Sequence, residues 1–67
     1  MLYSCKTRVY ARKLGSPEFG TTIRVTILAN NDEEARDLAK INFDNYCKNL
    51  EKHRGIPFEH NEIILEN

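Results

Sequence analysis

The sequence predicts an α+β domain, a three-stranded mainly antiparallel sheet with one long helix packed on one face, in the order ββαβ. Three observations carry this. Two stretches alternate apolar and polar residues, 3–11 and 21–29, on either side of a turn rich in glycine and proline. A helix punctuated at both ends follows at 32–54. A short apolar run, Ile63-Ile64-Leu65, comes last. At 67 residues, 1–67 is a single domain, too small to hold both a large core and an enclosed cavity.

In the first stretch Tyr3, Cys5, Thr7, Val9 and Ala11 alternate with Ser4, Lys6, Arg8, Tyr10 and Arg12. Successive side chains of a strand point to opposite faces, so the odd positions go to the core. Gly15-Ser16-Pro17-Glu18-Phe19-Gly20 supplies turn chemistry, and a mobile loop is expected there. The second strand again turns its odd positions inward: Ile23, Val25 and Ile27.

The helix begins at a good N-cap, Asn31, with Glu34 three residues on, where its carboxylate can reach back to the cap. Asp32, Glu33 and Glu34 complement the positive end of the helix dipole, and Lys48, Lys52, His53 and Arg54 the negative end. Gly55 suits a left-handed C′ position, and Pro57 blocks continuation. At 100° per residue Ala35, Ala39, Phe43, Tyr46 and Leu50 share one arc and form the predicted buried stripe, with Leu38 at its edge and Ile41 outside. Such a helix is roughly 34 Å long, and a ten-residue strand spans about 33 Å. The helix therefore covers the sheet from end to end.

Residues 62–66, Glu-Ile-Ile-Leu-Glu, read as the third strand, with Ile63 and Leu65 inward and 58–61 as loop. A right-handed crossover sets this strand parallel to the second. Pairing with the first strand gives the spatial order 2-1-3, favoured because antiparallel pairs are commoner.

Net charge is zero but unevenly spread. Residues 1–24 hold five cations against one acid, and 25–67 hold five against nine. A bipolar surface suited to a charged partner follows. No apolar run is long enough for a leader or a membrane span, so a cytoplasmic protein is expected. Cys5 and Cys47, 42 positions apart, then read as reduced thiols, and neither they nor the two histidines have zinc-site spacing. Nucleophile–His–acid sets and phosphate-binding glycine loops are likewise missing from the sequence, so a binding protein without a cofactor is expected rather than an enzyme.

Two constellations are candidate binding surfaces. On the sheet face away from the helix, Lys6, Arg8, Tyr10 and Arg12 of the first strand stand beside Arg24 of the second. Cations interleaved with an aromatic can meet an acidic protein surface, or contact phosphates while Tyr10 stacks on a base. A sheet face exposed to water also needs polar residues simply for solvation. The second is the acidic cluster Asp32, Glu33, Glu34 and Asp37 at the helix start, three of which dipole complementation and capping already explain; Glu33 and Asp37, with Glu62, Ile64 and Glu66 of the last strand, are the further candidate partner contacts.

The stretch 23–39, Ile-Arg-Val-Thr-Ile-Leu-Ala-Asn-Asn-Asp-Glu-Glu-Ala-Arg-Asp-Leu-Ala, resembles small podophage inhibitors of bacterial RNA polymerase. In that family a strand ends in alanine and an acidic helix opens with a Glu-Ala and Leu-Ala pattern. The matching positions here are Val25, Ile27, Ala29, Glu34, Ala35, Leu38 and Ala39. The resemblance implies the same strand, strand, helix, strand order, with host multisubunit RNA polymerase as partner and transcription initiation as the inhibited step. It also implies that the contacts differ. The family grips polymerase through arginines on its last strand, which here reads Glu62-Ile63-Ile64-Leu65-Glu66, leaving the basic hairpin face as the expected contact. A small nucleic-acid-binding protein using that face, or an inhibitor of another host complex, are the alternative readings.

Overall fold

In a computed structural model, residues 1–66 are described. The order is β1 (Leu2–Ala11), two single 3₁₀ turns (Arg12–Leu14 and Pro17–Phe19), β2 (Thr21–Leu28), α1 (Asp32–Arg54), β3 (Phe58–His60) and β4 (Ile64–Leu65). β1 is central. It pairs antiparallel with β2 on one side and with both β3 and β4 on the other, so the predicted 2-1-3 order is the one observed.

The predicted register is also observed. Tyr3, Cys5, Thr7, Val9 and Ala11 are all buried, together with Ile27 and Ala29, while Ile23, Val25, Ile63 and Leu65 pack around them. The Asn31 side chain accepts the Glu34 amide at 2.9 Å, fixing the helix start. Glu34 does not reach back to the cap as predicted; its carboxylate takes the Asn30 side-chain amide at 3.3 Å. Gly55 ends the helix at φ 75° and ψ 11°, its N–H donating to Glu51 O at 2.8 Å, because only glycine enters this region without steric cost. Gly20 is needed for a different reason. A Cβ there would lie 2.3 Å from the Val9 carbonyl oxygen, inside the hairpin backbone.

Two predictions need correction. The third strand is not one run at 62–66. It forms two short pieces separated by a bulge, in which three residues, Asn61, Glu62 and Ile63, face only two of β1, Thr7 and Arg8. Thr7 is the one polar residue of the inward set, and its hydroxyl donates to the carbonyls of Asn61 and Glu62 at 2.8 and 3.0 Å. That pairing gives the buried Thr7 hydroxyl its acceptors and fastens the bulge to β1. Arg36 of α1 adds a third anchor, donating to Ile63 O at 2.8 Å.

The second correction concerns the helix stripe. Ala35, Ala39, Phe43 and Cys47 are buried, but Tyr46 is 39% exposed and Leu50 only half-buried. Both point toward the sheet as predicted. What differs is the sheet beneath them, which presents Val9, Ala11, Gly20 and Thr21 and leaves the space open.

Candidate functional site

The sheet face away from the helix collects most of the residues singled out in the sequence. Lys6 and Arg24 stand directly opposite each other across β1 and β2, a like-charge pair that is unfavourable alone. Glu66 resolves it. Its carboxylate meets Lys6 Nζ at 3.2 Å and Arg24 Nε at 3.0 Å, and these two donors, Arg24 first, hold its carboxyl below the usual value. At the other end, Glu59 accepts from the Tyr10 hydroxyl at 2.8 Å and from Arg12 Nε at 3.2 Å. The same contacts, Tyr10 first, lower the Glu59 carboxyl, while the Glu59 carboxylate raises the Tyr10 phenol. Tyr10 is thus already engaged at its hydroxyl. Glu59 escaped notice in the sequence because 58–61 reads as loop.

Arg8 departs from its expected place in solvent. It is half-buried, and its guanidinium donates to the carbonyls of Pro17 at 2.8 Å, Gly20 at 2.7 Å and Glu18 at 3.5 Å, and to the Thr22 hydroxyl at 3.3 Å. The loop expected to be mobile is instead gathered around one side chain. Between the two ion-pair clusters lies a shallow depression of about 270 Å³ over the bulge, lined in part by Lys6, Arg8, Glu62 and Ile64. Four predicted site residues therefore meet at one place, with Tyr10 and Arg12 to one side and Arg24 and Glu66 to the other.

Glu33 and Asp37 do not join them. They lie exposed near the start of α1, four residues apart on one helix face, with no hydrogen-bond or ion-pair partner among the described residues.

His60, which the sequence places in a loop, sits in β3 opposite Val9 and under the helix. Its Nε2 is 2.8 Å from Asp44 Oδ1 and its Nδ1 2.8 Å from Asn61 O, and its ring tilts against Phe43 at 5.9 Å between centroids. Asp44 also accepts from Lys40 at 2.9 Å, and these contacts, Lys40 first, hold its carboxyl below the usual value. Cys5 and Cys47 are free and buried, as expected, and burial raises both thiols. His60, through Asp44 and Phe43, ties β3 to α1.

A second opening was not foreseen. A cleft of about 390 Å³ lies between the hairpin end of the sheet and the C-terminal half of α1. Leu14 and Phe19, 49% and 61% exposed, form one wall, and Tyr46 and Leu50 the other. Lys13 and Arg54 stand at its lining, and neither side chain has a hydrogen-bond or ion-pair partner among the described residues. The signal in the sequence was Leu14 and Phe19 themselves, two large apolar residues in a segment otherwise made of turn chemistry.

Among the described residues no helix is long and apolar enough to cross a membrane, and no group of three or more His, Cys, Asp or Glu side chains is placed to hold a metal ion. No family model, curated protein or solved structure matches this chain.

Proposed function

We propose that this chain acts by binding a protein, and that the protein is the multisubunit RNA polymerase of a bacterial host, whose initiation step it suppresses. The observation that favours protein over nucleic acid is the internal pairing of the open sheet face. Lys6 and Arg24 share Glu66, and Arg12 is taken by Glu59. Affinity for a phosphate backbone comes largely from free cations that displace its counterions. A cation already held by a carboxylate of its own chain must give up that partner first, which leaves little net gain. The identity of the partner rests on the resemblance of residues 23–39 to podophage polymerase inhibitors. Action is by occupancy. A wedge of 36 × 22 × 14 Å, bound where promoter DNA or the initiation factor must move, blocks that movement stoichiometrically.

Incubating purified bacterial RNA polymerase with the protein before adding promoter DNA tests this. Open-complex formation falls in proportion to the molar ratio and levels off near one equivalent. Undiminished open complex at large molar excess overturns the polymerase reading. Submicromolar, steeply salt-dependent binding of the isolated protein to bare DNA or RNA transfers the assignment to nucleic acid.

A further inference from the structure

We infer that the cleft between the hairpin end and the C-terminal half of α1 is a docking site for an apolar peptide segment flanked by carboxylates. The inference rests on the reading that the partner is a protein, but not on which protein it is.

The walls set the apolar part. Tyr46 and Leu50 lie on the sheet-facing side of α1, one and two turns beyond the fully buried Phe43, yet they meet open space instead of sheet. Leu14 and Phe19 come up from the hairpin turns on the opposite side, with Ile23 and Ile56 between them. At about 390 Å³ the cleft is at the small end of the range of roughly 300–1,000 Å³ that encloses a whole ligand. It suits one or two large side chains offered by a segment that itself lies outside.

The rim sets the polar part. Lys13, Arg54 and the Tyr46 hydroxyl border the cleft, and none has a hydrogen-bond partner among the described residues. Lysine and arginine only donate, and a phenol donates readily. The complementary ligand is rich in acceptors and negatively charged, so carboxylates on either side of the apolar anchor match it. Phosphates are also acceptors, but a nucleic acid needs cations that continue along its backbone. The β1 cations that precede Lys13 in the chain, Arg8 and Arg12, are committed to loop carbonyls and to Glu59. The walls mix aliphatic side chains, Leu14, Ile23, Leu50 and Ile56, with Phe19, Tyr46 and Phe58, a lining that takes leucine-like or phenylalanine-like anchors.

The test uses the full chain labelled with ¹⁵N and a panel of short peptides. Each peptide carries a core pair drawn from Leu, Ile and Phe, flanked by Glu, Gln or Lys. Glu-flanked members are expected to shift the amides of Leu14, Phe19, Tyr46 and Leu50, and to bind about tenfold or more tightly than their Lys-flanked counterparts. The double variant Lys13→Glu, Arg54→Glu, shown by circular dichroism to be folded although the acid at the negative end of the helix dipole lowers its melt somewhat, is expected to reverse that order. Four results overturn the inference: no shifts with any Glu-flanked peptide, shifts confined to other surfaces, indifference to the double variant, or stronger occupation of the same amides by decanoate or by oligo-dT. The two readings fail separately. Capture of polymerase that the double variant leaves untouched keeps the polymerase proposal and removes this one. Peptide binding in the cleft without polymerase binding does the reverse.

Discussion

The open face of the sheet and the cleft at the hairpin end both display cations and aromatic residues, yet they are in opposite states. On the open face nearly every charged group has a partner from the same chain: Lys6 and Arg24 on Glu66, Arg12 and Tyr10 on Glu59, Arg8 on the loop carbonyls. At the cleft Lys13, Arg54 and the Tyr46 hydroxyl have none among the described residues, and large apolar side chains stand exposed beside them. The difference teaches that a row of cations in a sequence does not by itself mark a binding surface. A group already engaged must break an internal contact to bind, whereas an unpaired group beside exposed apolar surface has only water to give up.

The sharpest way to break the comparison is through stability. Arg8→Ala removes the donors that gather the hairpin loop, and hydrogen bonds from a charged group contribute about 1.5–3 kcal/mol. That is a large share of the roughly 3–5 kcal/mol available to a domain of this size. Lys13→Ala, at the cleft, is expected to change stability by no more than about 0.5 kcal/mol. Urea denaturation of the two variants checks this, and equal losses would erase the distinction between a face that builds the fold and one that does not.

Acid provides a smaller and more graded probe. The carboxyls of Glu59 and Glu66 are held below their ordinary value of 4.5, and that of Asp44 below 3.8. A carboxyl lowered on folding contributes stability that is complete above its unfolded value and is lost as pH falls through the folded one. Tm is therefore expected to be level down to about pH 5 and to fall below it. Glu66→Gln should flatten part of that fall, because it leaves Lys6 and Arg24 facing each other at every pH. Superimposable profiles for the two proteins would show that the open-face pairing adds nothing to stability.

The fold was legible because its signals are local and periodic. Alternation at 3–11 and 21–29 set the register, and Asn31 and Gly55 marked the helix ends where they are observed. The break between β3 and β4 was not legible, since a bulge is a property of two strands together, and nothing in 58–63 alone says that three residues will face two. Thr7 carried a trace of it, as a polar residue in an otherwise apolar inward set. The open-face ion pairs were not legible: alternation gives the face on which Lys6, Arg12 and Arg24 stand, but 58–61 reads as loop and nothing in the sequence alone sets Glu59 or Glu66 against those cations. The cleft was hidden for a further reason. Helical periodicity gives the direction in which Tyr46 and Leu50 point, and says nothing about whether the sheet opposite is high enough to meet them.

The central claim is that the open face builds the protein while the cleft binds its partner, and fluorescence anisotropy with purified bacterial RNA polymerase tests it most directly. Labelled wild-type protein is compared with Lys13→Glu, Arg54→Glu and with Lys6→Gln, Arg24→Gln. The cleft variant is expected to lose about tenfold or more in affinity, equivalent to about 1.4 kcal/mol or more, and the open-face variant to stay within about twofold. The opposite ranking, with the open-face variant losing affinity and the cleft variant binding like wild type, would contradict the account.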